Sequence, residues 1–244
     1  MSELPRLDDH VLGLVRWAWC RELGLPEGSL DDPSDGSRLE VAGPADAVVV
    51  LQLAGATALR APADVLGAAR DLPDEVLALE STLLRLTARH APRSLGEADL
   101  LYAAEAPEIS PSSSVAVSDA PEHAARLTAL CPADDVHAAD LGPAPLTLVP
   151  DDGHGEALGD PLAGAGHTVW QGLLARMGIL TVPEHRVRGL GTYAAAVAAE
   201  RAFLDGLVPE ARVRTQDRAG QAIAMALGFA RAGSLARIEL TAGR

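Results

Sequence analysis

The residues best suited to chemistry fall in one stretch, Ile179-Leu-Thr-Val-Pro-Glu-His-Arg186-Val-Arg188-Gly189-Leu-Gly191-Thr192. An apolar run ends at Pro183. Two arginines and two glycines follow, and an alanine-rich segment with Tyr193, Val197, Glu200 and Leu204 at helical spacing begins at once. Glycines let a backbone approach a phosphate closely. The first N–H groups of a helix have no intrahelical acceptors, and the helix dipole adds partial positive charge there. Arg186 and Arg188 contribute full charges. The chemistry implied is anion binding, with phosphate as the first ligand to consider.

Two other readings compete. Gly189-Leu-Gly191-Thr-Tyr-Ala194 also spells the dinucleotide fingerprint G-x-G-x-x-A. In that fold the turn leaves its strand directly and several βα units follow; here Pro183 to Arg188 intervenes and too little chain remains. The plainer alternative is a strand–turn–helix whose glycines serve packing alone. Elsewhere the weak catalytic candidates are His167, His154 beside Asp151, Asp152 and Glu156, and Tyr193. Against them stand a surface role for each histidine and a packing role for the tyrosine. Cys20 and Cys131 read as small buried hydrophobes. No spacing of ligands calls for a metal, and the absence of lysine excludes a Schiff base on the protein and a Walker A motif.

Positioning these residues requires alternating strands and helices. Val11 to Leu23 has the spacing of an amphipathic helix, stopped by Gly24-Leu25-Pro26. Ala47 to Leu53 reads as a strand, with Ala56 to Leu59 as its hairpin partner. Helices are expected at Ala63 to Leu72 and Asp74 to Arg89, then a short strand at Leu100 to Tyr102. Glu105 to Ser114, rich in Pro, Ser and acid, is the expected linker (105–114) between an N-terminal α+β region, 1–104, and a second domain, 115–244. The second domain is expected to run strand (Val115 to Val117), helix (Pro121 to Leu130), strand (Pro145 to Val149) and a loop from Asp151 to Gly166. Strands at His167 to Gln171 and Leu173 to Val182 come next. Helix (Gly191 to Gly206), strand (Ala211 to Thr215), helix (Arg218 to Leu227) and strand (Ser234 to Leu240) complete it. This order predicts a mixed α/β sheet rather than a bundle.

The chain has 244 residues and a net charge of −14. Its 20 basic residues are all arginine, and it contains no asparagine, the bias of a high-G+C bacterial gene. Hydrophobic residues make up 48% and charged residues 22%, so a folded core is expected and wholesale disorder is not. So acidic a protein is a poor nucleic-acid binder. No apolar run is long enough for a membrane span. Two cysteines far apart, and an N-terminus without a signal-peptide pattern, point to the cytoplasm. Acidic residues dominate from Glu105 to Asp160 against Arg126 alone, which would suit a cationic acceptor. Arginine dominates from Arg186 onward.

Arg186, Gly189 and Gly191 match Arg/Gln-x-x-Gly-x-Gly/Ala, and Leu227-Gly228-Phe229 follows the last helix. In both features the chain resembles the GNAT superfamily of acyl-CoA-dependent N-acyltransferases, well over Leu173 to Leu240 and loosely from Val115. The resemblance implies a mixed sheet flanked by helices, preceded by a smaller α+β region or a degenerate GNAT-like half. It implies acetyl transfer from acetyl-CoA to a primary amine of a small molecule or peptide, and a homodimer as a common assembly. Ile179, Leu180 and Thr181 would lend main-chain groups to the pantetheine arm. Arg186, Val187, Arg188, Gly189, Leu190, Gly191 and Thr192 would hold the pyrophosphate, and Asp217 would contact the cofactor where relatives have asparagine. The tyrosine many relatives use as an acid is Ala224 here, and the strand from Gln171 to Gly178 has no carboxylate. A non-catalytic acyl-CoA-binding or regulatory module is therefore the alternative.

Overall fold

In a computed structural model the structure describes residues 7–32, 37–109, 114–151 and 159–241. The elements are α1 (Asp9–Leu23), β1 (Leu39–Ala42), β2 (Ala47–Leu53), β3 (Ala56–Ala61), α2 (Ala63–Ala69), α3 (Asp74–Leu77), α4 (Glu80–Leu86) and β4 (Pro92–Tyr102). Then come β5 (Val115–Ser118), α5 (Pro121–Leu130), α6 (Ala133–Ala139), β6 (Leu146–Pro150), β7 (Ala163–Trp170) and β8 (Leu174–Thr181). The chain closes with α7 (Leu190–Leu204), β9 (Val208–Arg214), α8 (Arg218–Ala226) and β10 (Ala230–Leu240). The result is a mixed α/β architecture of sheet strands flanked by helices.

Two compact units emerge, neither continuous in sequence. One holds Asp8–Leu101 with Arg212–Arg218 and the chain from Arg231. The other holds Tyr102–Ala211 and Ala219–Ala230. Within the first, strands lie in the order β1-β3-β2-β10-β4. Helix α1 starts where the Val11 N–H donates to Asp8 Oδ1 at 2.8 Å and stops at left-handed Gly24. The β2–β3 hairpin turns on Ala54 and Gly55, both with positive φ. Its core joins Val48, Val50, Leu59, Leu77 and Leu83 to Ala236, Ile238 and Leu240 of β10.

The single helix expected over Asp74 to Arg89 is instead broken. Leu79 is extended, and the Glu80 N–H, at the start of α4, donates to Glu97 Oε1 at 2.8 Å. That carboxylate caps a new helix start, which propensity alone does not foresee. The short strand at Leu100 to Tyr102 extends back to Pro92, and neither β1 nor α6 was expected.

In the second unit the order is β9-β8-β7-β6-β5. Strand β7 begins at Ala163, inside the stretch read as loop, because the small residues Ala163-Gly-Ala-Gly166 fit beneath neighbouring backbone. Strand β9 begins at Val208 and β10 at Ala230, both earlier than the apolar pattern suggests. On β8, Met177 and Ile179 pack toward α7 with Leu190, Ala194 and Ala198. Leu180, with Val182 just beyond the strand, packs toward α5 and α6 with Leu127, Val136 and Ala139. Strand alternation thus gives β8 one face per helix layer. Among the described residues no helix is long and apolar enough to cross a membrane.

Candidate functional site

The site is built on β8 and the turn that follows it. Strand β8 pairs antiparallel with β7 along its whole length, Leu174 to Thr181. Its parallel register with β9 covers Leu174, Ala175 and Arg176, opposite Val208, Pro209 and Glu210. From Met177 to Thr181 it has no register with β9. The Val182 N–H donates to Leu162 O at 3.0 Å, toward β7. By alternation Leu180 and Gly178 also direct their backbone groups to β7, and Met177, Ile179 and Thr181 direct theirs to the other edge. So Ile179 and Thr181 can offer main-chain groups there, whereas Leu180 supplies a packed side chain instead.

After β8 the chain makes a short 3-10 turn at Pro183–His185 and enters α7. Val187 has φ +55°, and Gly189 has φ +80° with ψ −6°. A left-handed β-branched residue is strained, and Val187 is fully exposed, so neither packing nor propensity rewards that conformation. Gly189 occupies the N-cap of α7 and has no side chain to cap the first-turn N–H groups. A Cβ there would meet nothing within 4 Å, so only the left-handed φ, not crowding, favours glycine at this position. Gly191 differs: a Cβ would come to 3.0 Å of Thr181 Oγ1, so this glycine lets α7 start against β8. Leu190 and Thr192 are half-buried in the first turn.

The two arginines are not equivalent. Arg186 donates from Nη2 to Asp135 Oδ2 at 2.6 Å and from Nε to Thr181 O at 3.3 Å. Its charge is partly neutralised and its position fixed. Arg188 is exposed one residue from Gly189. Burial pushes the nearby Cys131 thiol above its ordinary value, although the Arg186 charge pulls it down.

The remaining candidates are scattered. His167 lies in the middle of β7 rather than at its first residue, and its Nε2 stands 4.0 Å from Asp205 at the C-cap of α7. Burial lowers its pKa, with Asp205 opposing. The 15-residue α7 spans ~22 Å at 1.5 Å per residue, so His167 sits at the end far from the glycine turn. Tyr193 is half-buried and packs against the core that holds Ala163, Ala165, Ala194 and Ala198. Ala224 is buried, with exposed Met225 beside it. His154 lies outside the described residues. Asp217 is exposed and belongs to the unit that lacks the glycine turn. Among the described residues no three His, Cys, Asp or Glu side chains gather as a metal site would require.

One charged residue escaped sequence reading. Glu210 is fully buried, at the last paired position of β9 opposite Arg176. Arg176 Nε donates to Glu210 Oε2 at 3.1 Å, and Tyr102 O–H donates to Oε1 at 3.1 Å. The sequence pattern expects the strand only from Ala211, which places Glu210 outside it, whereas β9 begins at Val208. The available signal was a lone acid in the apolar run Leu207-Val-Pro-Glu-Ala211.

Compared by sequence, the chain matches no family description and no curated relative. Compared by structure, it is similar to a GNAT-family protein from Novosphingobium aromaticivorans, with 21% identity, TM-score 0.44 and coverage of 62% of this chain and 68% of that one. A GCN5-related N-acetyltransferase from Kribbella flavida gives 18% identity and TM-score 0.46, covering 66% and 64%. A tandem GNAT protein from the clavulanic acid biosynthesis pathway gives 13% and 0.41, covering 68% and 60%. The chain spans less than two thirds of the length of the latter two. The likeness is one of backbone architecture.

Proposed function

We propose that this chain is an acyl-CoA-dependent N-acyltransferase that moves an acetyl group from acetyl-CoA to a primary amine. The observation that carries the reading is the course of β8. The strand leaves β9 after Arg176, presents Ile179 and Thr181 backbone groups along the freed edge, and runs into the uncapped start of α7. That edge suits the amide-bearing pantetheine arm as an added strand partner. The N-terminus of α7, without a side-chain cap, and exposed Arg188 beside it suit a pyrophosphate. Acetyl-CoA would supply the thioester, whose carbonyl carbon bonds to the amine nitrogen as the C–S bond breaks and the amine proton leaves.

The chain's own part is to bind and orient. Gly189 gives the turn its left-handed φ, and Gly191 keeps it close to β8. Arg186, held by Asp135, fixes the turn's geometry, and Arg188 brings the charge. The acidic surplus between Glu105 and Asp160 would draw an ammonium toward this unit. Buried Ala224 favours a second reading, an acyl-CoA-binding module without turnover, because no hydroxyl stands there to protonate a thiolate.

Calorimetric titration with acetyl-CoA tests the first reading. Wild type should bind, and Arg188→Glu should bind at least ~10-fold more weakly, since a charge-assisted contact is lost and a like charge gained. Absence of wild-type binding sinks the proposal. Thiol release with a panel of amines then separates turnover from binding alone.

A further inference from the structure

Arg186 leads the glycine turn, and its side chain crosses the end of β8. Its Nε donates to Thr181 O at 3.3 Å, and its Nη2 donates to Asp135 Oδ2 of α6 at 2.6 Å. The second contact draws it to one side of the sheet. Leu180 and Val182 pack toward α5 and α6, whereas Met177 and Ile179 pack toward α7. The guanidinium is thus tied to the α6 layer, although the helix start that it precedes in sequence belongs to α7 on the other face.

A guanidinium N–H given to a carboxylate cannot at the same time be given to a phosphate. Asp135 offers Arg186 what a phosphate would offer, acceptor oxygens that carry negative charge. The pair is weakly held: 48% of the Arg186 side chain and 41% of the Asp135 side chain reach solvent. An ion pair so exposed gains little from its Coulomb attraction, so a polyanion with several acceptor oxygens can displace the carboxylate.

The other contact of Arg186 points the same way. Thr181 directs its backbone groups to the edge of β8 that has parted from β9. Arg186 Nε therefore covers one of the main-chain acceptors on the edge that would receive a pantetheine arm. One side chain, fixed by one carboxylate, stands across both parts of the proposed cofactor path.

We infer that the Asp135–Arg186 contact is an autoinhibitory latch on the phosphate-binding turn. It braces the turn until a phosphate-bearing ligand takes Arg186 from Asp135 and uncovers Thr181 O. Asp135 thereby lowers the affinity for that ligand, and binding is coupled to release of α6 from the turn. This rests on the acyl-CoA reading for the identity of the ligand, though the exchange of one anion for another at Arg186 can be tested without a thioester.

The test is equilibrium titration of the full chain with acetyl-CoA and, separately, with inorganic pyrophosphate. Ionic strength is held at about 0.15 M, where distant charges are largely screened. Asp135→Asn keeps the side chain's shape and removes the competing charge, and loss of so exposed a pair leaves the fold intact. This variant should bind both probes about 2–5-fold more tightly than wild type, the range an exposed pair supplies. Asp134→Asn removes the exposed charge next in sequence and should stay within about 1.5-fold of wild type. Arg186→Gln should bind more weakly, and Asp135→Asn added to it should lose most of its gain, because no guanidinium remains to be withheld. Equal or weaker binding in Asp135→Asn shows a brace alone and overturns the inference. The same gain in Asp134→Asn, or an undiminished gain beside Arg186→Gln, shows a diffuse charge effect and also overturns it. Acetyl-CoA binding without a gain in Asp135→Asn removes the latch and leaves the transferase reading. A gain with pyrophosphate where acetyl-CoA fails to bind does the reverse, and failure of both probes with every chain removes both.

Discussion

Arg186 and Arg188 sit two residues apart, yet their surroundings divide the work between them. Asp135 and the Thr181 carbonyl occupy Arg186, which makes it a brace for the turn. Arg188 is exposed beside the uncapped start of α7. Both arginines were visible as anion-binding candidates in sequence, but Asp135 lies in a distant helix, and no local pattern announces it. Glu210 was hidden for the same reason: its meaning comes from Arg176 and Tyr102, each on another strand. His167 carries a prediction at this scale. Burial disfavours its charged form, so the folded protein binds that proton less readily than the unfolded chain. Its contribution to stability is intact above the unfolded value of about 6.5, and is lost as pH falls through that value toward the lower folded one. His167→Gln should therefore flatten the fall of the urea midpoint between about pH 7.5 and 5. Wild-type and variant curves that run parallel would refute this.

Glycines at the scale of elements follow two different rules. Gly178 of β8 faces the end of α6, where a Cβ would stand 1.8 Å from Ala139 O. That contact is with backbone, which cannot rotate aside, so Gly178→Ala should destabilise the protein by roughly 1–3 kcal/mol or more. Gly13 lies exposed within α1, where a Cβ meets nothing within 4 Å. Gly13→Ala should stabilise by about 0.5–1 kcal/mol, because the glycine's greater unfolded freedom is removed. Urea denaturation of both variants checks the pair, and a stable Gly178→Ala would show that α6 can lift from β8. Elements with local signals were legible: α1 from its apolar stripe and Gly24, α5 from Pro121, and the β2–β3 hairpin from its apolar run and Ala54-Gly55. The break between α3 and α4 was not, because the Glu97 carboxylate that caps the second helix comes from β4.

For the molecule as a whole, the decisive fact is where the last strand goes. Strand β10 pairs antiparallel with β2, and Ala236, Ile238 and Leu240 complete the core formed by Val48, Val50 and Leu59. A chain ending at Ala230 would leave β2 with an unpaired edge and that core open to water. It should bind a hydrophobic dye and lose amide-exchange protection across β2; protection equal to that of the full chain would refute this. The sequence alone determined the acidic character, the mixed α/β class, the glycine–arginine turn after an apolar strand, and the positions of most helices and strands. Those features rest on composition, periodicity and contacts within a few residues. Tertiary structure alone decided that β8 parts from β9 after Arg176, that Glu210 is buried beneath that arginine, and that β10 completes the N-terminal core. Each depends on pairing between segments far apart in the chain, where hydrogen-bond register and burial, not local preference, choose the partner.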